Sequence, residues 1–251
     1  MIAQFGTTFR LSLVEQKHNR FAIALLLGYL PAWYGIIAAL SAGTIAFKLR
    51  AFGIIVITTQ ERLSLLTGML NATTLIMGFV GLTVIRQSGA VDQRLVLCGH
   101  SRAALVLGRL LALGLASLAV AAYATGVLAL FFPLRYFALV AAGTFVAVAA
   151  YVAIGMLVGV VLPGDLEGLF FIIMLSIVDT FMQNPIGSAA ANHQVVEFFP
   201  SYLPMQMVTA GAFTSRVAWW QFWAGLGWAA GFGALVLVAF WYGTRTERSY
   251  G

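Results

Sequence analysis

Apolar runs long enough to cross a bilayer recur six times along this 251-residue chain, and no other feature restricts its fold so severely. They cover residues 21–47, 63–85, 103–132, 136–162, 166–184 and 218–242. A hydrocarbon core about 30 Å thick needs about 20 helical residues, so each run reads as a membrane-spanning helix with some room to tilt. A helix satisfies its backbone hydrogen bonds within one segment, as lipid requires. Composition agrees: 61% of residues are hydrophobic and 9% charged, more apolar surface than a soluble core of this size buries. The expected fold is an all-α polytopic membrane protein, one domain over residues 1–251.

The segments around the runs refine this layout. Residues 1–20 place Ile2, Phe5, Phe9 and Leu13 at helical spacing among Arg10, Glu15, Lys17 and Arg20, the pattern of an amphipathic helix lying in the membrane surface. The first apolar run is too long for the core of a signal peptide. The fifth run stops at Asn184-Pro185, and Pro200 and Pro204 punctuate the stretch after it, so 185–217 is expected to be interfacial or re-entrant. Trp219, Trp220 and Trp223 at one end of the last run and Trp241 and Tyr242 at the other suit the two headgroup zones.

Twelve arginines, two lysines and eight carboxylates give a net charge of +6, but the cations sit at the ends of apolar runs rather than in a basic tract. That distribution fits phospholipid headgroups and gives no support to nucleic-acid binding. Arg10, Lys17, Arg20, Arg86, Arg94, Arg102, Arg245 and Arg248 fall on one side of a six-span layout, and Lys48, Arg50, Arg62, Arg135 and Arg216 on the other. Arg109 lies about two turns into the third run, within snorkelling reach of the first group. The excess places both termini in the cytoplasm of a cell inner (plasma) membrane protein, although the basic loop after the first run pulls the other way.

Intrinsic catalysis finds little support. His18, His100 and His193 are far apart, and Cys98 is the single cysteine, so no metal-ligand spacing and no internal disulfide exist. Neither Lys17 nor Lys48 follows a glycine, so there is no phosphate-binding loop of the Gly-Lys-Ser/Thr type. One carboxylate, Asp179, lies clearly inside a run, which rules out a pair of intramembrane aspartates.

What remains are faces. Thr67, Asn71, Thr74, Gly78 and Gly81 share one side of the second run, and Gly28, Ala32, Gly35 and Ala39 one side of the first, beside Pro31 as an expected kink. Gly155 and Gly159, and Gly227 and Gly231, form two pairs of small residues four apart. Such faces either let helices approach closely or line a passage. Ser176, Asp179, Thr180 and Gln183 make one side of the fifth run polar. A carboxylate at mid-membrane costs about 2.5–3.5 kcal/mol on insertion scales, so Asp179 faces either protein, as a structural residue, or a water-filled outer vestibule. Asn71, Thr74, Ser176, Asp179 and Gln183 are the candidate pathway residues.

Between the second and third runs, VDQRLVLCGHSR (91–102) is neither short nor a flexible polar string. Val91, Leu95 and Cys98 recur at helical spacing around Asp92, Gln93 and Arg94; Gly99 is placed to stop a helix and Ser101 to cap the next. Such a helix either lies in the headgroups or meets a partner. The longer stretch RQSGAVDQRLVLCGHSRAALVLGRLLAL (86–113), with the amphipathic leader, the Gly108-Arg109 pair and the Pro-broken 185–217 segment, resembles the permease subunits of type-2 ABC transporters, a class rich in bacterial exporters. Where that family carries a Pro- or Ser-containing turn, this chain has Gly99-His100 before Ser101.

The resemblance implies several things. Val91–Cys98 would be a cytoplasmic coupling helix docking on a separate ABC ATPase, with Val91, Leu95 and Cys98 giving apolar contact and Arg94, His100 and Arg102 polar contact at its edge. ATP and Mg would be bound by that partner and no cofactor by this chain. A second permease, identical or related, would complete the passage, and the cargo would be a hydrophobic or amphiphilic compound, drug-like or lipidic. Without the resemblance, an ion-coupled transporter or a membrane scaffold remain the alternatives; the first would want more intramembrane charge than Asp179 and Arg109 supply.

Overall fold

The computed structural model describes residues 2–41, 43–184, 186, 194–214 and 219–246. Pro185, 187–193 with His193, 215–218 with Arg216, and 247–251 with Arg248 lie outside the described residues. The order is α1 (Ile2–His18), α2 (Arg20–Ala24), a π-helical turn (Leu25–Tyr29), α3 (Leu30–Leu40), β1 (Thr44–Leu49), β2 (Ile54–Thr59), α4 (Gln60–Leu97), α5 (Arg102–Phe131), α6 (Phe137–Val161), α7 (Asp165–Gln183), α8 (Tyr202–Phe213) and α9 (Trp219–Thr246). A short 3-10 turn, Gln194–Phe198, precedes α8.

Five stretches are long and apolar enough to cross a membrane: Ala22–Leu40, Gln60–Gly89, Arg102–Phe131, Phe137–Val161 and Trp219–Tyr242. The chain is therefore a mainly helical protein built for multiple membrane crossings. The helix α7, expected as the fifth of six spans, is not among the five; it carries Asp165, Glu167 and Asp179 within 19 residues.

Two expected boundaries move. The first span ends at Leu40 and not at residue 47, because Thr44–Leu49 pairs antiparallel with Ile54–Thr59, from Thr44 opposite Thr59 to Leu49 opposite Ile54. Gly53, at φ 64, supplies the left-handed residue that lets the ribbon turn. The architecture thus includes one β-hairpin beside its helices. The expected separate helix at 91–98 is also absent as such: α4 runs unbroken for 38 residues from Gln60 to Leu97, and the amphipathic segment is its last two turns.

In α4 and α6 glycines control the approach. A Cβ on Gly155 would run into the carbonyl of Gly78, one on Gly81 into the carbonyl of Val152, and one on Gly159 would come within 2.9 Å of Ile85 Cγ2. These two helices run parallel and touch backbone to backbone, as small residues allow in lipid. Most of α6 is buried, and α4, α5, α7, α8 and α9 all pack around it. In contrast Gly28, Ala32, Gly35 and Ala39 are all exposed on the first span.

Pro31 has the effect expected of a helix proline. The ring removes the N–H that would bond the carbonyl of Leu27. The helix widens into the π turn just before it, and the Leu27 carbonyl accepts from the Tyr123 hydroxyl of α5 at 3.4 Å. The leader helix α1 packs along the start of α5, with Thr8 and Ser12 buried and Gly108 closing on Thr8. The Trp241 carbonyl, near the end of α9, accepts from Arg102 at 3.3 Å. Thus α1, the last turns of α9 and the 91–102 segment share one end of the bundle, and the hairpin lies at the other.

Candidate functional site

Two regions hold the residues that the sequence singles out. The first is the end of α4. There Gly99, at φ 86, closes the helix: its N–H donates to the Val96 carbonyl (3.1 Å) and that of His100 to the Leu95 carbonyl (2.9 Å). This is the Schellman arrangement, which needs a left-handed residue in that place. Ser101 occupies the cap position of α5 with extended backbone. Around this stop Val91, Arg94, Leu97 and Cys98 are exposed, whereas Leu95, His100 and Arg102 are half-buried. The helix end therefore presents apolar side chains, Val91 at 49% and Leu97 at 74% exposure, beside a cation and a free thiol.

The second region is a polar seam between α4 and α7. Thr74 Oγ1 lies 3.1 Å from Ser176 Oγ, Asn71 Nδ2 donates to the Ser176 carbonyl (3.4 Å), and Ser176 Oγ donates to the Asn71 carbonyl (3.4 Å). One turn further, Asn184 Nδ2 donates to Thr67 Oγ1 at 3.4 Å. Thr67, Thr74 and Ser176 are buried. The stripe on α4 and the polar side of α7 thus face each other within one chain.

Asp179 sits at the head of this seam and is fully buried, so its carboxylate faces protein and not the water-filled vestibule that was the other expectation. Its Oδ2 accepts from the Tyr151 hydroxyl (2.6 Å), the Ser201 hydroxyl (2.5 Å) and the Ser201 N–H (3.2 Å), while Oδ1 accepts from Gln183 Nε2. Gln183 Nε2 also donates to Ser201 Oγ at 3.1 Å. Four donors converge on one acceptor, tying α6, α7 and the entry to α8 together. A buried polar group so thoroughly paired specifies one arrangement of its neighbours.

Sequence reasoning missed Tyr151 and Ser201. Neither is near Asp179 in the chain, and the only advance signal was a tyrosine in the middle of an otherwise apolar run, where its hydroxyl needs a partner. It also missed the Arg86 contacts: the guanidinium bonds the Leu162 carbonyl (2.7 Å) and the Asp165 carboxylate, closing the α6–α7 turn. Arg109, expected to snorkel to the membrane surface, is instead buried, and its Nη1 donates to the Val84 carbonyl at 3.0 Å. Among the described residues no group of three or more His, Cys, Asp or Glu side chains could hold a metal ion.

The chain matches no protein-family model and no curated protein.

Proposed function

We propose that this chain is the membrane-spanning subunit of an ATP-driven exporter that moves a hydrophobic or amphiphilic compound with a separate ATPase. The observation that carries this reading is the continuity of α4. One helix links an exposed apolar end at Val91–Cys98 to the buried polar seam at Thr67–Thr74 and the glycine contact with α6. At 1.5 Å per residue its 38 residues measure about 57 Å, well over the roughly 30 Å of a hydrocarbon core. Its apolar stretch ends at Gly89, so in this reading the last turns stand clear of the lipid tails, where a soluble subunit can reach them. Movement imposed there by nucleotide-driven closure of an ATPase pair would pass into the spans through a single element.

In this reading ATP and Mg belong to the partner, both termini and the 91–102 segment are cytoplasmic, and two permease copies or a related pair enclose the passage. The hydroxyls and amides of α4 and α7 pair with one another inside the chain, so the choice of a hydrophobic or amphiphilic cargo rests on the apolar character of the spans and on the family resemblance. The test is to purify the tagged chain from native membranes in mild detergent and identify its stoichiometric partners by mass spectrometry. A soluble subunit carrying a phosphate-loop lysine is expected. Leu97→Asp is expected to release it while the permease stays folded in the membrane. A chain recovered without such a subunit, or a variant that retains it, would overturn the assignment.

A further inference from the structure

The partners of the buried Asp179 are two hydroxyls, a side-chain amide and a backbone N–H, and none of them carries a charge. The elements packed on α7 include α4, α6, the 3-10 turn Gln194–Phe198 and α8. From α6 the titratable group is Tyr151, and α8 opens with Tyr202. The turn carries Glu197, whose carboxylate is taken by Arg50 of the hairpin at 3.1 Å. Glu61 and Arg62 open α4, the arginine over the Phe132 ring, and Arg86 bonds Asp165. Asp165 and Glu167 stand in the first turn of α7, at the other end from Asp179. No cation is thus offered to the buried carboxyl among these groups. A carboxylate taken out of water is costly unless a cation pairs with it or a proton neutralises it.

The cluster has a place for that proton. Tyr151 Oη lies 2.6 Å from Asp179 Oδ2 and 3.4 Å from the Leu175 carbonyl. Its hydroxyl can turn from the first to the second without movement of a heavy atom. Tyr151 then accepts a proton carried on Oδ2 and donates its own to Leu175, while the Ser201 N–H and Gln183 Nε2 still donate to the carboxyl. The covering segment is gripped twice, at Ser201 by Asp179 and at Glu197 by Arg50. When Ser201 lifts away, water reaches Asp179. The O–H bond then breaks, its electron pair stays on Oδ2, and the proton passes to water.

We propose that Asp179 is a proton-binding site, a neutral acid while Ser201 covers it and a carboxylate once the 194–201 segment opens. The site needs no ATPase and is independent of the transport reading. The test is infrared spectroscopy of the purified full chain at neutral pH in a maltoside detergent, which has no carbonyl of its own. A protonated-carboxyl C=O stretch is expected that moves when the aspartate side chains carry ¹³C, shifts in Tyr151→Phe and is lost in Asp179→Asn. The isotope arm needs no variant to fold. Hydrogen exchange of the Ser201–Leu203 amides, corrected for intrinsic rates, supplies the second readout. The closed site binds one proton more than the open one, so opening grows as pH rises, by about tenfold per pH unit while only the closed site keeps its proton. Asp179→Asn should remove that slope and His193→Gln should keep it. Absence of a ¹³C-sensitive acid band at neutral pH, or a band that Tyr151→Phe leaves in place, would overturn the proposal. So would opening that does not change with pH, or a slope that survives Asp179→Asn or vanishes in His193→Gln.

Discussion

Two glycine pairs share the same spacing and meet opposite surroundings. Gly155 and Gly159 on α6 lie against the backbone and side chains of α4, where any Cβ collides. Gly227 and Gly231 on α9 have nothing within 4 Å of where a Cβ would sit. The face α9 does bury carries Gln221, Gly225 and Val236, on another side of the same helix. A spacing of four therefore states how closely a helix can be approached, not by what. The partner is chosen by the rest of the face, and α6, apolar all round, is enclosed by five helices.

That contrast is open to direct attack. The largest effect is expected from Gly155→Val, which forces α6 off the Gly78 carbonyl. It should destabilise the protein by at least about 3 kcal/mol, seen as lost thermal stability and aggregation in detergent. Asp179→Ala comes next, since it strands the Tyr151, Ser201 and Gln183 donors at a cost of about 1–3 kcal/mol for each left unpaired. Asp179→Asn, which keeps one acceptor, should lose less. Equal and small melting shifts for both would mean that the carboxylate does not hold α8 in place. Gly99→Val should cost about 1–2 kcal/mol of local strain at the left-handed position. It should show as faster hydrogen exchange at the Gly99 and His100 amides while the global melting temperature holds. The smallest effect is expected for Gly227→Val, within about 0.5 kcal/mol of the parent. A large loss there would reveal a contact to α9 that one chain does not contain.

Legibility followed the range of the interaction. The stop at Gly99 depends on bonds spanning a few residues, and its chemistry is local enough to read from a string. The glycine faces of α4 and α6 were readable as a capacity for close packing. The hairpin was hidden because Thr44–Phe47 continues the hydropathy of the first span without a break. The run IIVITT at 54–59, rich in β-branched residues, was the available cue. The unbroken length of α4 escaped because hydropathy falls at the membrane surface whether or not the helix ends there. The Asp179 cluster was least legible, since its partners stand 22 and 28 residues away on other elements.

The contact between Gly78 and Gly155 has a mechanical consequence for α4, because it falls near the middle of the 38-residue helix. The contact does not end there: Gly81, Leu82 and Ile85 meet α6 as well, so the two helices are joined along a stretch of about 10 Å and not at a point. A push at the Leu97 end therefore cannot rock α4 about one residue; α4 and α6 move as a splinted pair.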